Sequence, residues 1–220
     1  MYRRIDEVTE MKGIIFDLDG VICFTDEYHY LAWKKLADRL GVYFDRKIND
    51  RLRGVSRMAS LEIILERSNT AYSQEEKETF CEEKNALYRE YLKQMSPADL
   101  SDEVRETLGE LRKRGYLLSI GSSSKNAKFI LSRIGLDGFF DAISDGTNIT
   151  RSKPDPQVFQ MAAQLLSLPP EECLVVEDAL AGIEAAKAAG MKAAGLQDAA
   201  KDPKTDYPLS SFKDLLSCLP

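Results

Sequence analysis

The chain has 220 residues, 44% of them hydrophobic and 30% charged, with a formal net charge of −6. That length and composition suit one sizeable core, alone or carrying a smaller insert, and exclude a disordered or fibrous chain. The acidic balance disfavours a surface that collects nucleic acid or anionic lipid, since such surfaces need an excess of Lys and Arg; a small anionic substrate held by a few local cations fits.

The first ten residues, MYRRIDEVTE, are charged in both signs and lead through Met11-Lys12 into only four residues, GIIF, before acidic chemistry begins at Asp17. No secretory h-region and no membrane span is expected there or later, so the sequence predicts a cytoplasmic location without membrane association. Cys23, Cys81, Cys173 and Cys218 are scattered, with neither a C-x-x-C pair nor zinc spacing, and read as thiols of a reducing compartment. Residues 13–16 form a short apolar run that predicts a buried parallel strand. From His29 to about Tyr91 the pattern is amphipathic and helical, with no convincing strand, flanked by Phe24-Thr25-Asp26-Glu27 and Met95-Ser96-Pro97-Ala98 as two hinge-like exits. Beyond it, strands are predicted at 116–121, 139–144, 173–177 and 191–196, alternating with helices at 102–114, 125–134, 155–168 and 179–189. Glycines 115, 135 and 190 follow three of those helices. The alternation implies right-handed βαβ crossovers and a parallel sheet covered on both faces, with ligands beyond the carboxyl ends of the strands. Residues 198–208 read as polar loop before a short last helix. The predicted fold is thus α/β: a Rossmann-like three-layer core domain of residues 1–24 and 96–220 with an inserted α-helical cap domain of residues 25–95.

Chemistry-bearing residues gather at those strand ends. Asp17-Leu18-Asp19-Gly20-Val21 follows the first strand. Two carboxylates there divide labour between attack on phosphorus and proton donation, or else form an Asx turn chosen for the bend. Glu177-Asp178 holds the same place after a later strand and suits Mg2+, although Asp178 also reads as a helix N-cap. Ser122-Ser123-Ser124-Lys125-Asn126 opens a helix and reads as a phosphate loop or as a serine-rich cap. Lys153, in Ser152-Lys153-Pro154-Asp155-Pro156, precedes a helix and taken alone would be a solvated lysine. The convergence of all four clusters is the signal.

In order and spacing, Asp17-x-Asp19-Gly20-Val21, Ser122, Lys153 and Glu177-Asp178 resemble the four motifs of the haloacid dehalogenase superfamily, in its helical-cap subclass. Tyr28-His29-x-x-Ala32-Trp33, Arg53-Gly54-Val55-Ser56-Arg57, Glu83-Lys84-Asn85 and Ser96-Pro97-Ala98-Asp99 are similar to the sugar phosphomutase branch. That branch interconverts β-glucose 1-phosphate and glucose 6-phosphate through an aspartyl-phosphate and β-glucose 1,6-bisphosphate. The resemblance implies Asp17 as nucleophile, Asp19 as general acid/base whose carbonyl also binds Mg2+, and Glu177 and Asp178 completing a one-ion site. It implies Ser122 and Lys153 on the transferring phosphoryl, with Thr25 and His29 in the catalytic set, His29 coupling cap closure to Asp19. Arg57, Ser124, Lys125 and Asn126 would hold the distal phosphate, and Gly54 and Val55 would meet the sugar. Lys84 either reaches a sugar hydroxyl or belongs to a solvated charge run with Glu82 and Glu83, and Trp33 either lines the substrate site or packs the helix core. The bisphosphate is implied as priming intermediate, a small sugar phosphate as the partner, and a monomer as the state. The segment Asp145-Gly146-Thr147-Asn148-Ile149-Thr150-Arg151 is more polar than the branch suggests. A sugar-phosphate or phosphoglycolate-type phosphatase is the runner-up expectation.

Overall fold

A computed structural model describes residues 10–52 and 55–219. Six strands form one parallel sheet: β1 (Gly13–Phe16), β2 (Leu117–Gly121), β3 (Ala142–Ser144), β4 (Cys173–Glu177), β5 (Lys192–Gly195) and β6 (Tyr207–Pro208), in the order β3-β2-β1-β4-β5-β6. β1 is central and wholly buried, as its uninterrupted apolar run requires of a strand covered on both faces. Phe16 pairs in register with Ile120 and with Val176. The chain therefore leaves β1 at Asp17 level with Glu177 at the end of β4 and one residue short of Ser122 beyond β2.

Helices cover both faces. Ile14, Phe16, Leu118, Ile120, Leu174 and Val176 pack against α5 (Asp102–Lys113), α6 (Ala127–Arg133) and the C-terminal α9 (Leu215–Cys218). Ile15, Val175 and Ala193 face α7 (Gln157–Leu166) and α8 (Leu180–Ala188). Burying each of the larger of these side chains contributes roughly 1.5–3 kcal/mol, which fixes the sheet against both layers.

Between β1 and β2 run α1 (Asp26–Arg39), α2 (Arg46–Asp50), α3 (Arg57–Leu65) and α4 (Gln74–Leu92). They bury a cluster of their own around Trp33, Leu36, Phe44, Ile48, Leu61 and Ile64. Ser56 caps α3 through the Ala59 N–H, and Ser73 with Glu76 forms a capping box that starts the 19-residue α4. The return crossing is clasped by Arg133 of α6, which donates to the carbonyls of Lys93 and Met95.

The expected strands and helices are present, at the expected bounds for 13–16 and 173–177 and otherwise shortened by one to three residues at an end, and Gly115, Gly135 and Gly190 sit after their helices at φ +87°, +80° and +79°. One correction concerns the tail: Tyr207–Pro208, expected in loop, pairs with β5 as a sixth strand. Asp206 anchors it by accepting from the Ala193 N–H and from Lys187 and Lys192. Among the described residues no helix is long and apolar enough to cross a membrane.

Candidate active site

At the carboxyl end of the sheet the Asp17 N–H continues the β1–β4 ladder to the Val176 carbonyl at 2.9 Å, which fixes the direction of its side chain. Carboxylate oxygens of Asp17, Glu177 and Asp178 lie within 4.8 Å of one another. Two glycines make this crowding feasible. A Cβ at Gly20, held at φ +88°, would stand 2.2 Å from Asp178 Oδ2, and one at Gly182 would stand 1.9 Å from the Glu177 carboxyl. Glu177 Oε2 accepts the backbone N–H groups of Asp178 and Ala179 at 3.0 and 3.1 Å. The N-cap reading of Asp178 is corrected: Ala179 is the N-cap residue of α8 and makes no side-chain capping bond.

Lys153, far from the solvated lysine expected of it in isolation, is buried and ion-paired with both Asp17 and Glu177, its ammonium 4.8 Å from the Phe159 ring centre. The two carboxylates hold its pKa above the usual ammonium range despite burial. Burial pushes the Asp17 carboxyl well up, against the pull of Lys153 and with help from Glu177 and Asp178. A buried, hard, oxygen-only donor set of three carboxylates fits a divalent cation such as Mg2+.

Asp19 points elsewhere. Its carboxylate accepts from Thr25 Oγ1, and Thr25 accepts from the Tyr88 hydroxyl at 3.0 Å, so Thr25 precedes α1 without capping it. Burial raises the Asp19 pKa to about 6, the hydroxyl bond opposing. His29 packs against Tyr88 with ring centres 4.0 Å apart and ring planes tilted by 39°, and its Nδ1 lies 2.8 Å from Lys84 Nζ. With Lys84 charged, Nδ1 accepts and the ring proton belongs on Nε2. Burial first, then the Lys84 charge, pushes the His29 pKa well below its usual value. Lys84 itself is 2% exposed, 4.9 Å from the Trp33 ring centre and 4.6 Å from that of Tyr88, and burial drives its pKa down. The charge-run alternative for Lys84 is thus overturned. Trp33 packs the insert core at 2% exposure and also lines the cleft.

These groups line a cleft of about 710 Å3 between the sheet end and the inserted helices. Its other end is cationic and amide-rich. Arg57 Nη2 donates to Asn85 Oδ1 at 2.8 Å, and the same oxygen accepts from Asn126 Nδ2 at 2.9 Å. Ser122 and Ser124 shape the loop before α6, their hydroxyls accepting the N–H groups of Ser124 and Asn126. Lys125 is exposed at the rim and Val55 half-buried in the wall, whereas Arg53 and Gly54 lie outside the described residues. The polar segment 145–151 begins as an Asx turn: buried Asp145 accepts from the Thr147 N–H and hydroxyl, and Gln157 accepts from Thr150 and Arg151. Sequence reasoning did not single out Tyr88, Gly182 or Gln197, which donates to the Gly20 carbonyl at 3.0 Å. Of the three, a glycine inside a helix was the readable signal.

The haloacid dehalogenase-like hydrolase family profile matches residues 11–190. The chain is 43% identical over 188 residues to the β-phosphoglucomutase of Bacillus subtilis, covering 84% of this chain and 83% of that one. It is 30% identical over 185 residues to a phosphorylated carbohydrates phosphatase of Thermotoga maritima, covering 83% of each. The crystal structure of β-phosphoglucomutase from Clostridium difficile superposes with a TM-score of 0.87 at 37% identity over 93% of each chain. With its strand-end carboxylates and lysine set in the matched span, the chain belongs to the haloacid dehalogenase-like hydrolase family.

Proposed function

We propose that the chain is a magnesium-dependent β-phosphoglucomutase, interconverting β-D-glucose 1-phosphate and D-glucose 6-phosphate by way of a phosphoryl group carried on Asp17. The observation that carries this reading is one cleft with an anion-holding feature at each end: Lys153 beside Asp17, and Arg57 beside Asn126. A bisphosphorylated hexose needs both; a monophosphate ester needs one.

In the proposed reaction a carboxylate oxygen of Asp17 attacks phosphorus while Asp19, with its raised pKa, gives its proton to the departing sugar oxygen. In the reverse half, ionised Asp19 takes the proton of the other sugar hydroxyl, which attacks the aspartyl-phosphate. Lys153 and Ser122 steady the equatorial oxygens, and phosphoryl transfer then depends chiefly on alignment and charge neutralisation. Asp17, Glu177, Asp178 and the Asp19 carbonyl would hold Mg2+, which neutralises phosphoryl charge when bound. β-Glucose 1,6-bisphosphate is the intermediate that must turn around and also primes Asp17. We assign residues 25–95 as a cap domain on a core of residues 1–24 and 96–220, its closure excluding water from the aspartyl-phosphate. Thr25 and His29, at the base of α1, relate that closure to the position of Asp19. Val55 and Gly54 meet the sugar together with Trp33 and Lys84; Ser124 and Lys125 join Arg57 and Asn126 on the distal phosphate. A monomer in the cytoplasm is the proposed state.

A second reading, phosphatase action on sugar phosphates, is favoured by the likeness to the Thermotoga maritima phosphatase. One assay separates them. The protein is given β-glucose 1-phosphate, Mg2+ and a trace of the bisphosphate, and glucose 6-phosphate is measured against free phosphate. Glucose 6-phosphate is expected in large excess; free phosphate without it would establish the phosphatase.

A further inference from the structure

Asn126 is the N-cap residue of α6 and is 3% exposed, yet its side chain makes no capping bond. Asparagine at that position ordinarily turns its oxygen onto the helix N–H groups, so its orientation here calls for another cause. The cause lies on α4. Arg89 Nη1 donates to Asn126 Oδ1 at 3.1 Å, and Asn85 Oδ1 accepts from Asn126 Nδ2 at 2.9 Å. Asn85 and Arg89 are four residues apart and so share one helix face, gripping the two ends of one amide. Arg89 is braced in turn, its guanidinium carbon 4.7 Å from the Phe129 ring centre on α6. Asn85 Oδ1 also takes the Arg57 Nη2 donor at 2.8 Å, so one oxygen unites the cap arginine and the core amide.

We infer that Asn85 and Arg89 are positioning residues, a clamp on α4 that sets the Asn126 amide and the Arg57 guanidinium for the phosphate remote from Asp17. This rests on the mutase reading and deepens it. A clamp that only held the insert to the core would be redundant, because Arg133 already ties the return crossing through the Lys93 and Met95 carbonyls. The clamp instead controls orientation. With Arg89 on its oxygen and Asn85 on its nitrogen, the Asn126 amide cannot flip, and its N–H edge stays beside Arg57. Both donors meet one neutral carbonyl oxygen rather than a carboxylate, so that contact orients Arg57 without neutralising its charge. The two holders, one on the insert and one on the core, come together only where α4 reaches the loop before α6, which links remote-phosphate binding to closure of the cleft.

The test uses the full chain with Mg2+ and two phosphoryl donors, β-glucose 1-phosphate with its bisphosphate and acetyl phosphate, which has no second anchor. Asn85→Leu is expected to raise KM for the sugar phosphate about tenfold or more while kcat changes little, and to leave acetyl phosphate hydrolysis unchanged. Arg89→Ala should do the same more weakly. Combining Asn85→Leu with Asn126→Ala should cost less than the sum of the two single effects, because they share the Asn85–Asn126 contact. Calorimetric binding of glucose 1,6-bisphosphate to Asp17→Asn protein, with and without Asn85→Leu, reads the clamp apart from turnover. Wild-type protein that forms no glucose 6-phosphate, while its Asp17→Asn form still loses about tenfold in affinity on Asn85→Leu, would remove the mutase reading and uphold the clamp. Equal affinities, absent binding, additive losses, or a parallel loss on acetyl phosphate would each overturn the clamp.

Discussion

Replacing Gly182 with alanine tests the architecture of the acidic end most sharply, because two ordinary expectations oppose each other there. Within α8 a Gly→Ala change should stabilise by about 1 kcal/mol from helix propensity alone. The new Cβ, however, would lie 1.9 Å from Cδ and Oε1 of Glu177, against an ordinary carbon contact of about 3.5–4 Å, so the carboxyl must move by roughly 1.5 Å or more. That carboxyl is fixed by Lys153 and by the N–H groups of Asp178 and Ala179, and it is 1% exposed, so no solvated position is at hand. Breaking a buried ion pair costs roughly 3–5 kcal/mol. The net expectation is a destabilisation of about 2–4 kcal/mol, read by urea unfolding in EDTA. Mg2+ dependence of activity should shift by tenfold or more, as displaced ligand support generally does. Gly109→Ala in α5, where a Cβ meets nothing within 4 Å, is the control and should gain about 0.5–1 kcal/mol. If Gly182→Ala matched that gain and kept its Mg2+ dependence, the packing of Glu177 against α8 would be refuted.

Arg57→Ala should lower glucose phosphate isomerisation by about 10- to 150-fold, the worth of a lost charged phosphate anchor, and spare acetyl phosphate hydrolysis; equal losses in both assays would count against a second anchor. Asp19 titrates at about 6 when folded and near 3.8 when unfolded, so the native state binds the extra proton and stability falls as pH rises through that window. Asp19→Asn removes the slope: relative to wild type it should gain up to about 3 kcal/mol between pH 3.5 and 7 in EDTA, and a pH-independent difference would argue against a buried carboxyl. Ser73→Ala, which dismantles the α4 capping box, should cost about 1 kcal/mol in urea unfolding with unchanged KM.

The acidic strand ends were legible because a buried parallel strand is an unbroken apolar run, so the first carboxylate after Phe16 or Val176 marks the sheet edge without further information. Lys153 was legible only in company: its spacing says nothing of burial, which comes from Asp17 and Glu177 meeting across neighbouring strands. In α4 the relevant signal was present but masked. Cys81, Lys84, Tyr88 and Leu92 recur at helical spacing and form the buried stripe, yet Glu82 and Glu83 beside Lys84 gave the local appearance of a solvated face. Asn85 and Arg89 fall on a neighbouring face, and what they touch depends on how α4 docks on the core, which no local pattern encodes. β6 is two residues long, too short for any periodicity; it exists because Asp206 gathers Lys187, Lys192 and the Ala193 N–H beside it.

In the proposed reaction the phosphoryl group rests covalently on Asp17. The most direct measurement mixes the protein with Mg2+ and β-glucose 1,6-bisphosphate, quenches within milliseconds, reduces any acyl phosphate with borohydride and maps the product by mass spectrometry. Conversion to homoserine at position 17 is expected in the wild-type protein and none in Asp17→Asn. A modified residue elsewhere, or glucose 6-phosphate formed by Asp17→Asn at the wild-type rate, would contradict it.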